Sequence, residues 1–455
     1  MENQISKYID EKKEELIGLA KKIWENPEVS FQEYKAVEWY KEFLEKEGFD
    51  VTVGDYGVPT SIRASYGSGS PVIGFLGEYD ALRGMSQVVD TVKKPVKEGD
   101  PGHACQHNLL GVGHLGAAIA LKNAIKNKEA KGTVVFYGCP GEEELTGKGF
   151  MARGGAFRDL DVSFSWHPGN GNAIVMGKLT ALNTFEIHYK GQTAHAAADP
   201  QNGRSALDAL ELTNVGVQYL REHVTDDVRI HYSILNGGKA PNIVPDSASS
   251  WYFVRALSRE AVTDTYERIK KVAEGAAIMT ETESSVKYLG GCYNTLGNKV
   301  LADVLLEAMK ETPSQKWSEE DIKFAQKMEE VRTNARGAFP TDKNTGEYLY
   351  EGEPFISYLD SYGSSDVGDV QHICPGILFI TATTNLGAAG HSWQNTACAG
   401  MGIGFKGMLY AAKSMGLAGL KLLQDENLVK KAKEQFKIDM QDKEYICPIP
   451  KDLEL

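Results

Sequence analysis

Four short apolar runs in this chain each lead into residues that bind metals or move protons, and no other feature constrains the fold as strongly. Residues 71–76 run into Gly77-Glu78-Tyr79-Asp80, and 133–137 into Cys139-Pro140-Gly141-Glu142-Glu143-Glu144. Residues 160–164 run into Ser165-Trp166-His167-Pro168-Gly169, and 376–380 lead to Gly390-His391-Ser392-Trp393. Short apolar runs bounded by Gly and Pro read as buried strands. Alternating with helices, they predict a parallel α/β sheet, which binds ligands beyond the carboxyl ends of its strands. Between the first two runs lies Gly102-His103-Ala104-Cys105-Gln106-His107-Asn108, three candidate metal ligands within five residues. A thiolate with imidazoles suits zinc, and imidazole also takes other divalent first-row metals.

The remaining pattern fills in the domains. Apolar spacing predicts helices over residues 5–24, 32–47 and 109–127, the last capped by Asn108. The long polar connection between Asp80 and Cys105 is of a length more often functional than idle. In the middle of the chain the grammar changes: strand 183–189, helix 204–223, strands 229–235 and 247–255, helix 260–277 and strand 284–289. In the first of these strands Phe185, Ile187 and Tyr189 share one face. That order is βαββαβ, the ferredoxin-like arrangement, and it predicts a domain inserted into the α/β domain. The expected boundaries are 1–181 for the first part of the catalytic domain, 182–291 for the insert and 292–455 for the return. Residues 311–354 are highly charged, with a helix over 318–332 and a turn-rich tail. The Gly- and Ala-rich stretch 397–423 reads as a closely packed helix.

Composition bounds the partners. A chain of 455 residues is expected to hold about two domains. Its net charge of −13 argues against nucleic acid or an anionic membrane surface as partner. No apolar run approaches the ~20 residues of a membrane span. The polar opening segment carries no signal-peptide pattern. The six scattered cysteines fit a reducing compartment, so a cytoplasmic location is expected.

Cys105-Gln106-His107, Glu142-Glu143, His167 and His391 together resemble the M20 metallopeptidase and amidohydrolase family, in its aminoacylase-like branch. The blocks Gly77-Glu78-Tyr79-Asp80-Ala81-Leu82, Pro140-Gly141-Glu142-Glu143 and Gly363-Ser364-Ser365-Asp366-Val367-Gly368-Asp369 carry the likeness. So do Gly191-Gln192-Thr193-Ala194-His195-Ala196 and Gly237-Gly238-Lys239-Ala240-Pro241-Asn242 in the insert. The resemblance covers nearly the whole chain. It implies a metal-dependent exopeptidase-like catalytic domain with a central mixed sheet, and an inserted lid that forms a homodimer. Cys105, His107, Glu143, His167 and His391 would hold one or two divalent ions, Mn2+ or Zn2+. Glu142 would be the general base and acid, His195 would donate to the oxyanion, and Asp80 would orient a ligating His. In this family the lid His often serves the partner's site. A hetero-partner subunit also stays open.

Two positions depart from the family pattern. Gln106 stands where the family usually has Gly, so a positive φ there would strain the backbone. Glu144-Leu145-Thr146 follows the paired carboxylates where smaller residues are expected, which would reshape the rim. His103 fits the ligand spacing but lies outside the family's set. Asn242 and Arg255 are candidate substrate contacts, with a turn role for the first and a structural salt bridge for the second as alternatives. His114, His188, His223, His231 and His372 carry no motif.

The implied activity is hydrolysis of the amide bond of an N-acyl amino acid or dipeptide-like compound, an aroyl-glutamate amide among them. Two other readings stay open. One is hydrolytic loss of an amine from another amidic or aromatic substrate. The other is a non-catalytic homologue that binds a small molecule, its metal site spoiled by Gln106.

Overall fold

The computed structural model describes residues 3–331 and 346–455. Twelve strands form two sheets among these residues. The strands are β1 (Asp50–Val53), β2 (Ile62–Ser68), β3 (Val72–Gly77), β4 (Gly132–Gly138), β5 (Val162–Gly169) and β6 (Ala173–Val175). They continue with β7 (Ala181–Lys190), β8 (Arg229–Asn236), β9 (Ser247–Ala256), β10 (Glu283–Cys292), β11 (Phe355–Ser357) and β12 (Gly376–Ala382). The large sheet has the order β1-β2-β4-β3-β5-β12-β6-β11. Its centre, β4-β3-β5-β12, is parallel, whereas β1, β2 and β6 pair antiparallel, so the sheet is mixed. The four apolar runs are the four central strands. Their carboxyl ends therefore lie at one edge.

Both faces of the central strands are buried, as parallel sheets require. Val134 and Phe136 pack with Phe75, Phe164 and Trp166 against helices Gln4–Glu11, Lys13–Glu25, His107–Lys126 and Gly402–Gln424. Val135 and Tyr137, one residue out of phase, pack on the opposite side with Phe150, Met151, Phe157 and Ile449. The Gly-rich helix lies as close to the sheet as its composition predicts. A Cβ on Gly407 would fall 2.1 Å from the carbonyl oxygen of Ala382 in β12.

Several bounds differ from the sequence expectation. The first helix is two, Gln4–Glu11 and Lys13–Glu25, because Lys12 (φ −92°, ψ 0°) leaves the helical path between them. The Gly/Ala-rich stretch is likewise broken, into Trp393–Ala399 and Gly402–Gln424. Strand β5 extends to Gly169 and so includes His167. The helix expected at 109 starts at His107, and Asn108 does not cap it. Its amide instead donates to the Ala20 and Ala399 carbonyls, tying three helices together. The helix expected over 318–332 is Glu319–Glu330, opened by a Ser318–Asp321 capping box. Arg332, and residues 333–345 of the expected tail, lie outside the described residues.

The second sheet has the order β10-β7-β9-β8, antiparallel throughout. With helices Ala206–Leu220 and Arg259–Thr280 it is the βαββαβ unit. Phe185, Ile187 and Tyr189 share the face that packs on both helices. The alternate residues of β7 and β9 face the other way, towards the carboxyl edge of the large sheet. Chain entry and return are neighbours, with Leu182 of β7 opposite Cys292 of β10. No helix among the described residues is long and apolar enough to cross a membrane.

Candidate metal centre

Each ligand candidate is delivered by the end of a different element. Glu78 and Asp80 follow β3, Glu142 and Glu143 form a single 3-10 turn after β4, and His167 lies near the end of β5. His391 sits between β12 and helix Trp393–Ala399, and His107 opens helix His107–Lys126. The Glu142–Glu144 turn begins at Gly141, whose φ of 69° and contact with the Phe31 ring leave no room for a Cβ.

These side chains meet. Cys105 Sγ is 3.2 Å from His167 Nε2, and His391 Nε2 is 3.7 Å from Glu143 Oε2. Of the three groups whose ligand atoms lie within 4.8 Å of one another among the described residues, two contain Cys105: one with His107 and His167, the other with Glu143 and His391. The two groups share Cys105, and together they would hold the divalent metal whose Lewis acidity such sites supply. Asp80 Oδ1 is 2.9 Å from His107 Nδ1, while Asp80 Oδ2 accepts from the Glu143 backbone and Ser30 Oγ at 2.9 Å each. That contact fixes the imidazole with Nε2 turned inward, the usual way a carboxylate orients a ligating His.

The donor set fits a divalent cation. His107 Nε2 is buried without a hydrogen bond of ordinary geometry. Burial and the Glu143 carboxylate push the Cys105 thiol up, so it ionises only with a cation beside it. Burial and the nearby His107 bring His167 down to about 4, leaving it neutral. Burial first, with the charges of Asp80 and Glu78, pushes Glu143 up to about 7 against the pull of His107. Glu142 lies well above the ordinary carboxylate range through burial and the charges of Glu78 and Asp366. Too many carboxylates share this space for all to ionise without added positive charge.

Gln106 does adopt the positive φ expected of a glycine, 62° with ψ 29°. Its amide compensates by accepting from Thr383 Oγ1 at 2.5 Å and donating to the Asn395 carbonyl at 2.9 Å. Both ends are thus committed to the scaffold, and the flanking Cys105 and His107 still converge with the other ligands. His103 is fully buried, and burial drives it down to about 3, so it is a neutral packing residue.

The cluster forms the floor of a cavity of about 1090 Å³. The small sheet supplies the facing wall through Leu182, Thr184, Trp251, Phe253 and Arg255. Arg255 donates to Ser364 Oγ at 2.8 Å, and Trp251 Nε1 to Thr184 Oγ1 at 2.7 Å. Glu144, Leu145 and Thr146 also line it. His195 and Asn242 do not. They sit on exposed connections of the small domain, His195 bridged to Ile243 and its Nδ1 accepting from the Ala198 backbone at 3.1 Å. Within one chain the structure brings neither to the cluster.

Sequence reasoning gave no role to three buried charges, Glu78 in the cavity lining and Lys148 and Asp366 next to it. Lys148 Nζ lies 2.5 Å from Glu78 Oε1 and 2.6 Å from Asp366 Oδ1, all three fully or nearly fully buried. The signal was available for Glu78 and Asp366, which fall in recognisable blocks. For Lys148 it was only a lysine within the apolar stretch Gly147-Lys148-Gly149-Phe150.

Residues 179–279 match the peptidase dimerisation domain of the M20 peptidases. The chain is 34% identical to one of the subunits of p-aminobenzoyl-glutamate hydrolase of Escherichia coli, over 99% of this chain and 98% of that one. It is 27% identical to Xaa-Arg dipeptidase of Mus musculus, over 98% and 94%. Its fold is similar to that of a Bacillus subtilis peptidase described as dinuclear metal-binding and of the M20 family, with TM-score 0.63 and 19% identity over 91% and 99% of the chains. With its fold, its donor set and a relative this similar along the full length, the chain belongs to the M20 family of metal-dependent amidohydrolases and peptidases.

Proposed function

We propose that this enzyme hydrolyses the amide bond of an N-acyl amino acid, an aroyl-glutamate amide being the first candidate. One observation carries the reading: Cys105, His107, Glu143, His167 and His391 converge beside Glu142 under a wall bearing aromatic rings and an arginine. Bound divalent ions supply Lewis acidity and lower the pKa of water. Glu142, adjacent to the ligand Glu143, takes the proton of the attacking water and returns it to the leaving amine. Arg255, held by Ser364, pairs with the substrate carboxylate, and Trp251 and Phe253 flank an aromatic acyl group. Mn2+ or Zn2+ fits the mixed set of thiolate, imidazole and carboxylate.

The domain bounds we assign are 182–291 for the insert and the flanking segments for the catalytic domain. The insert forms a homodimer in this reading. Strand β8 is an edge of its sheet and exposes Tyr232, Ile234 and Leu235, which a second copy would cover. His195 and Asn242, remote from the site of their own chain, would then serve the partner's. The E. coli relative is itself one subunit of its hydrolase, which supports a further hetero-partner. The free state of all six cysteines supports a cytoplasmic location.

The test is a hydrolysis screen of N-acyl amino acids and dipeptides with added Mn2+, Zn2+ or Co2+, read by released amino acid. We expect turnover that EDTA abolishes and metal restores. Absence of both bound metal and turnover across the panel would refute the reading in favour of a small-molecule binder.

A further inference from the structure

Resting on that metal reading, we propose that Glu78 is a ligand of the ion that His107 holds, outside the five residues assigned above. Glu78 is 3% exposed. Its Oε1 is engaged by Lys148, while its Oε2 is buried with no hydrogen-bond partner and stands 3.3 Å from His107 Nε2, which also has none. Asp80 takes the other ring nitrogen. Residues 78 and 80, two apart at the end of β3, therefore bracket both nitrogens of one imidazole. Both facing atoms are buried and unpartnered, and a cation between them would take one bond from each.

The spacing agrees with shared coordination. Two ligands at about 2.0–2.2 Å from one ion at a near-tetrahedral angle lie roughly 3.3–3.5 Å apart. Glu78, His107 and Glu142 form a third group with ligand atoms mutually within 4.8 Å. Lys148, caught between Glu78 and Asp366, fixes the rotation of the Glu78 carboxylate. A hard oxygen ligand held this way would shift the centre towards Mn2+ relative to a purely thiolate and imidazole site.

The experiment compares metal-stripped wild type, E78Q, E78D and C105S by calorimetric titration with Mn2+ and by the visible spectrum of Co2+-loaded protein. Far-UV circular dichroism in EDTA checks the fold. We expect E78Q and E78D to bind one ion at least tenfold more weakly and to change the Co2+ d–d bands. Wild-type affinity and bands in both variants would overturn the proposal. Loss of metal in C105S alone would leave the metal centre standing and remove only Glu78 from it, whereas wild-type binding by C105S would refute the centre itself. Should the Glu78 variants not fold, a metal-loaded wild-type crystal structure decides. A Glu78 oxygen at about 2.0–2.2 Å from the ion supports the assignment, and one beyond bonding distance overturns it.

Discussion

Substituting Gln106 by Ala and by Gly separates two opposed contributions at one backbone position. The left-handed conformation of Gln106 (φ 62°) costs a residue with a Cβ about 1–2 kcal/mol. Its amide returns two hydrogen bonds, from Thr383 and to Asn395, worth about 1 kcal/mol each. Thr383 Oγ1 keeps a second acceptor in the Gly169 carbonyl at 3.2 Å, so it is not stranded by the change. Q106A loses both bonds and keeps the strain, which predicts destabilisation by about 2–3 kcal/mol. Q106G loses the same bonds but releases the strain, offset by about 0.5–1 kcal/mol of extra chain entropy in the unfolded state. Gly should therefore exceed Ala by about 0.5–1 kcal/mol, the reverse of their order in an ordinary helix. Urea unfolding followed by tryptophan fluorescence, in excess EDTA so that metal affinity does not enter, measures the order. If Q106A proved as stable as Q106G, or either matched wild type, the balance of strain and compensation argued here would be wrong.

Other expectations follow from the same geometry. E142Q should lower kcat by about 10²–10⁴ with metal content unchanged by elemental analysis, and a variant retaining full turnover would remove Glu142 from the proton path. R255Q should raise KM by about 10–100-fold for substrates with a free carboxylate, the loss of one charge-assisted bond. The same variant should leave KM nearly unchanged for the corresponding primary amides. Asp369, fully buried and raised to about 7 chiefly by burial, gives a pH signature. Its folded form holds a proton that the unfolded chain releases near 3.8. Its contribution is thus complete below pH 3.8 and is lost as pH rises through 7, a fall of up to about 4 kcal/mol. In D369N, urea midpoints between pH 5 and pH 8 should decline less steeply than in wild type, and parallel profiles would contradict that assignment.

What the sequence disclosed, it disclosed through period and position. The central strands were legible because burial on both faces leaves continuous apolar runs. The gathering of candidate ligands at one edge was legible because parallel strands finish at a common edge. The βαββαβ order was legible from the change of period at residue 183. Helix breaks were not: Lys12 and Gly400-Met401 interrupt stretches whose apolar spacing continues across them. Asn108 was misread because an amide at a helix start has two uses, and tertiary packing on Ala20 and Ala399 outcompetes the local cap. The pairing of Lys148 with Glu78 and Asp366 was illegible because the three residues come from distant segments and share no period. The conformation of Gln106 could be suspected, but its two compensating partners lie 277 and 289 residues away.

The stalk that carries the small domain is built from the same two strands that furnish part of the cavity wall. Leu182 and Thr184 on β7 and Leu289 on β10 border the open space, and Leu182 faces Cys292 where the chain passes between domains. A substitution at these positions therefore alters the pocket lining and the junction through which the chain enters and leaves the small sheet at the same time.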